Sequence, residues 1–312
     1  MTAVTGLDEV VAAPSAVTIG NFDGVHRGHL TLLHRTVSAA TDRGLRSVAV
    51  TFDPHPAAVL RPGSEPPMLQ RLDQRIEALE DAGVDLVVVL PFTTDLAALE
   101  PDAFIQQILA DGIGAVRVVV GTNFRFGRRA AGDVVALAEA GDRFGYEVEA
   151  VGLLELHDAA VSPTTIRTAI TAGEVVRAAL DLGRPFALRG TVVEGEGRGR
   201  TIGIPTANLD VDPGVVVPAA GVYAGRATVD GATYDAVVNI GVRPTFEGTT
   251  TSIEAHLLDA ELELYGRTLT VAFEHRLRGE QRFDGPEQLV AQIHRDIAQA
   301  RVRLADRSAA GR

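Results

Sequence analysis

The stretch Ala16-Val17-Thr18-Ile19-Gly20-Asn21-Phe22-Asp23-Gly24-Val25-His26-Arg27-Gly28-His29 decides the fold of the first half of the chain. Ala16–Ile19 reads as a short buried strand, and Leu30, Leu33 and Val37 after it as one face of a helix. His26 and His29 therefore sit where a strand turns into a helix. Unpaired backbone N–H groups and the positive end of the helix dipole point outward there, which suits phosphate. Three residues apart at a helix start, the two imidazoles share a face. Neutral imidazoles donate to phosphate oxygens and become cationic as negative charge builds. Gly20, Gly24 and Gly28 permit close backbone approach, and Asp23 is placed to orient a turn or a ribose.

Outward from that stretch the pattern repeats. Strand-like runs occur at Ala16–Ile19, Ser47–Phe52, Leu86–Pro91, Val116–Gly121 and Glu147–Val151. Helix-like segments lie between them, around Leu72, Ile76 and Leu79, around Phe104, Ile108 and Leu109 after Pro101, and over Val134–Phe144. This alternation predicts a Rossmann-like α/β domain, a parallel sheet with helices on both faces and ligands at the carboxyl ends of the strands. Gly20–His29, Thr51–Pro56 and Gly121–Gly127 all follow strands directly, so they converge on one rim. Thr164–Leu182 reads as two short helices, broken by Gly183-Arg184-Pro185. Beyond it Phe186–Glu194, Gly221–Val229, Ala232–Ile240, Ile253–Asp259 and Thr268–His275 are β-rich, which predicts a small antiparallel barrel. A closing helix carries the stripe Leu289, Ile293, Ile297, Ala300 and Leu304. The expected division is 1–184, 185–306 and a disordered tail over 307–312.

Composition narrows the chemistry. The 312 residues suit two domains, and 46% hydrophobic residues suffice for ordinary cores. There are no cysteines, so disulfides, thiolate zinc sites and a cysteine nucleophile are excluded, and a reducing compartment, the cytoplasm, is expected. No secretory signal is expected, and apolar runs such as Leu86–Pro91 are too short to span a bilayer. The net charge of −12 argues against nucleic-acid or anionic-membrane partners. All 29 basic residues are arginine. Without lysine there is no Schiff base and no P-loop lysine, so phosphate is left to Arg, His, backbone N–H groups or a metal ion.

Gly20–His29 resembles the His-x-Gly-His signature of nucleotidylyltransferases. With Asn-Phe-Asp-Gly before it, it is similar to the FMN adenylyltransferase module of bacterial bifunctional riboflavin kinase/FAD synthetases. Thr51-Phe52-Asp53-Pro54-His55-Pro56, Gly121-Thr122-Asn123-Phe124-Arg125-Phe126-Gly127 and Gly132-Asp133 match that family too. The resemblance implies that this half transfers AMP from ATP to FMN, giving FAD and pyrophosphate. His26 and His29 would stabilise the moving charge, with Gly20, Phe22, Asp23 and Gly28 around the nucleotide. Asn123 is either a flavin contact or a loop-stabilising side chain. Ser162-Pro163-Thr164-Thr165-Ile166-Arg167 resembles a second phosphate-meeting helix start, which assigns Thr164 and Arg167 to ATP. Pro163 stands there in place of a serine, so either activity is unchanged with slightly weaker ATP binding or adenylyl transfer is slowed.

The second half carries a glycine-rich loop with Gly195, Gly197 and Gly203, then Ile204-Pro205-Thr206-Ala207-Asn208-Leu209. Thr206 and Asn208 are two apart on an extended segment, so both oxygens face one side, and they suit Mg²⁺ carried in by nucleotide phosphates. Pro-Thr-Ala-Asn resembles the mark of riboflavin kinases, as do Asn239–Thr245, Glu254–Asp259 and Arg278–Phe283. The resemblance implies that riboflavin becomes FMN here, with ADP released and Glu254 as general base for the 5′-hydroxyl. Arg282 and Phe283 either close over the flavin or cap the closing helix. ATP is then co-substrate of both reactions, with Mg²⁺. Two alternatives are a kinase with a weakened adenylyltransferase half and a flavin-binding regulator.

Overall fold

The computed structural model describes residues 2–156, 159–195, 203–245 and 248–310. They form two compact units, Met1–Pro163 and Thr164–Arg312.

In the first unit six strands are β1 (Thr2–Thr5), β2 (Ser15–Ile19), β3 (Arg46–Asp53), β4 (Leu86–Pro91), β5 (Ala115–Gly121) and β6 (Glu147–Val151). They lie in the order β1-β4-β3-β2-β5-β6, every pair parallel. The five strands expected from sequence are present, and β1 is an additional edge strand too short to read locally. Helices α1 (Arg27–Arg43), α2 (Pro56–Leu60), α3 (Leu72–Asp81), α4 (Thr94–Ala98), α5 (Pro101–Phe104) and α6 (Val134–Phe144) complete the unit. A π-helical segment, Ile105–Ile113, continues α5.

Strand alternation splits the core in two. Val48 and Val50 of β3 face Phe104, Ile108, Leu109 and Leu137. Ala49 faces the other way, with Leu33 of α1 and Leu79 of α3. Helices thus cover both faces, as a parallel sheet requires. Because β3 and β5 flank β2 on opposite sides, the strand order reverses at β2. Ligands of such sheets bind just beyond the carboxyl end at that reversal, and Gly20 begins there.

In the second unit α7 (Pro163–Thr171) and α8 (Val175–Leu182) precede β9 (Phe186–Val193), β10 (Ala207–Val211), β11 (Gly221–Val229), β12 (Ala232–Thr245), β13 (Gly248–Leu257) and β14 (Thr268–Arg278); two-stranded β7 (Glu155–Leu156) and β8 (Ala159–Ala160) belong to the first unit. The six later strands close into a barrel in the order β10-β13-β12-β11-β14-β9, antiparallel throughout. The units divide ahead of the boundary expected at 184/185, because the barrel holds the two helices before it. The Ala219 N–H donates to the Ile170 carbonyl, and Arg276 donates to the Ala172 and Ala220 carbonyls (3.3 and 2.9 Å).

The closing helix α9 (Pro286–Ala310) lays Ala300 and Leu304, with Ile297, against Val222, Ala224 and Val237. Leu289, expected in that stripe, is 36% exposed, so the apolar face starts later. The tail expected from residue 307 instead continues this helix to Ala310, since extending a formed helix costs far less than starting one.

Candidate active sites

The first site is built on the turn between β2 and α1. His26 is the N-cap of α1: its Nδ1 accepts from the His29 N–H at 3.3 Å. With Nδ1 accepting, the proton of the neutral ring sits on Nε2. The His26 and His29 rings stack with centroids 3.6 Å apart. Gly28 makes this possible, because a Cβ there would fall 3.1 Å from His26 Cε1. Phe22 is buried and meets the edge of the His29 ring at 5.1 Å. A Cβ on Gly20 would lie 3.3 Å from Phe22 Cζ, so Gly20 seats that ring. Burial, and then the neighbouring His26, hold the His29 pKa well below 6.5. Its Nδ1 is buried without a hydrogen-bond partner among the described residues. A second positive charge beside the first is disfavoured, so the two rings do not readily carry charge together.

Asp23 is hydrogen-bonded to the backbone of the turn's neighbour. It is 1% exposed and its Oδ1 accepts from the Leu69 N–H at 2.9 Å, tying the segment before α3 to the turn. The adjoining rim segment does reach the turn: the Asn21 amide lies 3.4 Å from His55 Nε2, and Thr51 Oγ1 donates to the Asn21 carbonyl (3.1 Å). Asn123 is exposed in the loop after β5, its Oδ1 folded over Gly121, where a Cβ would fall 3.0 Å away. Beside it Asp133 caps α6, accepting from the Ala136 N–H at 2.9 Å. Pro163 opens α7, the first-turn position that tolerates it. Thr164 is exposed and Arg167 half-buried on that helix, in the second unit.

The second site lies on the outer face of the barrel. Ala207, Leu209, Ile253 and Ala255 point inward and are buried, which turns Asn208 and Glu254 outward. Asn208 is directly opposite Glu254, and Glu254 is directly opposite Asn239, so the three form a row across β10, β13 and β12. A groove of about 430 Å³ opens at the Asn208 end of that row, lined by Val193, Glu194, Gly195, Asn208, Ser252 and Ile253 among others. Any Cβ on Gly195 would collide with the Asn208 amide. His256 Nδ1 donates to the Pro205 carbonyl at 2.7 Å, fixing the segment that leads into Thr206. Ser252 Oγ, Glu280 Oε1 and Asn239 Nδ2 converge within 3.2–3.6 Å of the position a Cβ on Gly241 would take. Among the described residues no cluster of three His, Asp or Glu side chains forms a resident metal site. The hard oxygens of Thr206 and Asn208 are of the kind that suits Mg²⁺ arriving with nucleotide phosphates. Gly203 is described, at φ 76°, whereas Gly197 lies outside the described residues.

Arg282 is exposed, and Phe283 is half-buried beneath Arg278, whose guanidinium carbon lies 5.8 Å from the ring centroid. Arg278 in turn is held by Asp296 of α9 through Nε (3.0 and 3.1 Å) and Nη2 (2.8 Å). This arrangement ties the loop to the closing helix. Sequence reasoning missed His55, Asn239 and His256 as individual site residues, although each lies inside a quoted motif.

Comparison with known proteins gives a family for each half of the chain. Residues 9–165 match the FAD synthetase family model and residues 182–304 the riboflavin kinase model. A bifunctional riboflavin kinase/FMN adenylyltransferase from Pseudomonas fluorescens is 41% identical, covering 91% of each chain. Its counterpart from Bacillus subtilis is 36% identical over 92% of each. A crystal structure described as a macrolide-efflux protein from Streptococcus pneumoniae superposes with a TM-score of 0.88 at 31% identity, over 96% of this chain and 99% of that one. In the present chain no helix among the described residues is long and apolar enough to cross a membrane. The chain belongs to the bifunctional riboflavin kinase/FMN adenylyltransferase family, its adenylyltransferase half on the parallel sheet and its kinase half on the barrel.

Proposed function

We propose that the barrel phosphorylates riboflavin with ATP and that the N-terminal unit then adenylylates the FMN formed, acting in the cytoplasm. The observation that carries the kinase assignment is Glu254 set directly across from Asn208 beside the Gly195 groove. In this reading Glu254 accepts the 5′-hydroxyl proton of riboflavin as that oxygen attacks the γ-phosphate, and ADP leaves. Thr206 and Asn208 would hold Mg²⁺, which supplies neutralisation of phosphate charge. Arg282 and Phe283 flank the flavin end.

In the N-terminal unit an FMN phosphate oxygen attacks the α-phosphorus of ATP and pyrophosphate leaves. No covalent intermediate is needed, only alignment and charge stabilisation. His26 donates from Nε2, and the stacked pair takes up a proton as charge moves to the leaving pyrophosphate. Gly20, Phe22 and Gly28 shape the turn and Asn123 meets the flavin nucleotide; Thr164 and Arg167, on α7, are ATP contacts by the family resemblance alone.

The test is a time course of the purified chain with riboflavin, ATP and Mg²⁺, resolved by chromatography. FMN is expected to rise first and FAD to follow; formation of neither product defeats the reading. A slowed adenylyltransferase half is a second reading, favoured by Pro163 at the start of α7, which removes a hydroxyl and an N–H donor. Faster FAD formation from FMN in P163S supports it, and an unchanged rate removes it.

A further inference from the structure

Arg75 heads the largest fully buried side chains, only 2% exposed. It occupies the core-facing side of α3 between Leu72 and Leu79, where an apolar residue would avoid the cost of burying a guanidinium. Its Nη1 donates to the Asn21 carbonyl at 2.8 Å, the same oxygen that accepts from Thr51 Oγ1. Its Nη2 lies 3.7 Å from Asp53 Oδ1, at the carboxyl end of β3. Burial draws its pKa down, and Asp23 and then Asp53 oppose that. One cation therefore touches or balances Asn21, Asp23 and Asp53, which belong to two of the rim segments.

The turn it holds is strained. Phe22 and Val25 adopt φ of 48° and 38°. Positive φ is uncommon for non-glycine residues and an outlier for a β-branched one. Such conformations persist only where the surroundings over-determine them. Two donors on the Asn21 carbonyl, and the Leu69 N–H on Asp23, provide that over-determination immediately before His26.

We propose that Arg75 is a positioning residue for adenylyl transfer: its guanidinium holds the Gly20–His26 turn so that the histidine pair meets the ATP phosphates. This rests on the adenylyltransferase reading above. A buried charge kept for conformational specificity is its general precedent. Loss of a charge-assisted hydrogen bond predicts that R75M raises the KM for ATP in FAD formation by about tenfold. Lysine keeps the charge without the fork, so R75K is expected to raise it by about threefold. Riboflavin phosphorylation by the same preparations serves as internal reference and should be unchanged. A role in folding alone would lower kcat through the active fraction and leave KM where it was. A wild-type KM for ATP in folded R75M overturns the proposal; if R75M does not fold, R75K decides by the same criterion. Absence of FAD formation by the unaltered chain would instead defeat the underlying adenylyltransferase reading.

Discussion

Asp296→Asn tests how the closing helix serves the kinase half. The Asp296 side chain is 3% exposed and that of Arg278 17%. Three nitrogen–oxygen contacts of 2.8–3.1 Å join them, and Gln292 Nε2 adds a fourth at 2.8 Å. Removing one partner of a buried pair costs about 3–5 kcal/mol. Arg278 keeps some contact with water, which lowers the expectation to roughly 2–3 kcal/mol. For a unit of this size each kcal/mol shifts Tm by about 2–4 °C, so D296N should melt roughly 5–10 °C lower by calorimetry. Function separates from stability in a second variant. R278M/D296L replaces the pair with apolar groups and should recover most of the stability. It should still raise the KM for riboflavin, because Phe283 loses the guanidinium that seats it. A D296N melting point within 1 °C of wild type refutes the energetic argument. An unaltered riboflavin KM in the double variant refutes the positioning of Phe283.

The remaining predictions concern the two sites directly. E254Q should abolish FMN formation from riboflavin while FAD formation from supplied FMN persists, read by chromatography; loss of both would show that the sites are not separable. H26A removes the N-cap and the stacked ring together. It should cost about 1 kcal/mol of stability in the first unit and eliminate FAD synthesis without touching riboflavin phosphorylation; undiminished FAD synthesis would exclude the pair from the chemistry. Stability of the first unit should also depend on pH through His29. Its pKa is lower folded than unfolded, so the unfolded chain binds more protons below the ordinary histidine value of 6.5. Stability is therefore full above that value and falls as pH drops toward the folded pKa, by at most about 1.4 kcal/mol per unit. H29N should flatten that slope in urea titrations at pH 5–7, and an equal slope in both proteins would contradict it.

Local sequence sufficed for the parts built from short-range periodicity. Ala16–Ile19 followed by glycines and then Leu30, Leu33 and Val37 can only be a strand, a turn and a helix, and the strand–helix alternation behind it implies the parallel sheet. The paired histidines, the spacing of Thr206 and Asn208 and the absence of lysine likewise restricted how phosphate is held. β10 was legible only as an extended segment, because five residues carry too little pattern to name a barrel strand. Tertiary structure alone decided which strands are neighbours. Register brought Asn208, Glu254 and Asn239 into one row from positions far apart in the chain. The same long-range packing buried Asp23 against the Leu69 N–H and carried Arg75 beneath the turn. A residue's own neighbours set its backbone preference. Its burial and its partners come from elements closed across the fold, and no local spacing encodes those.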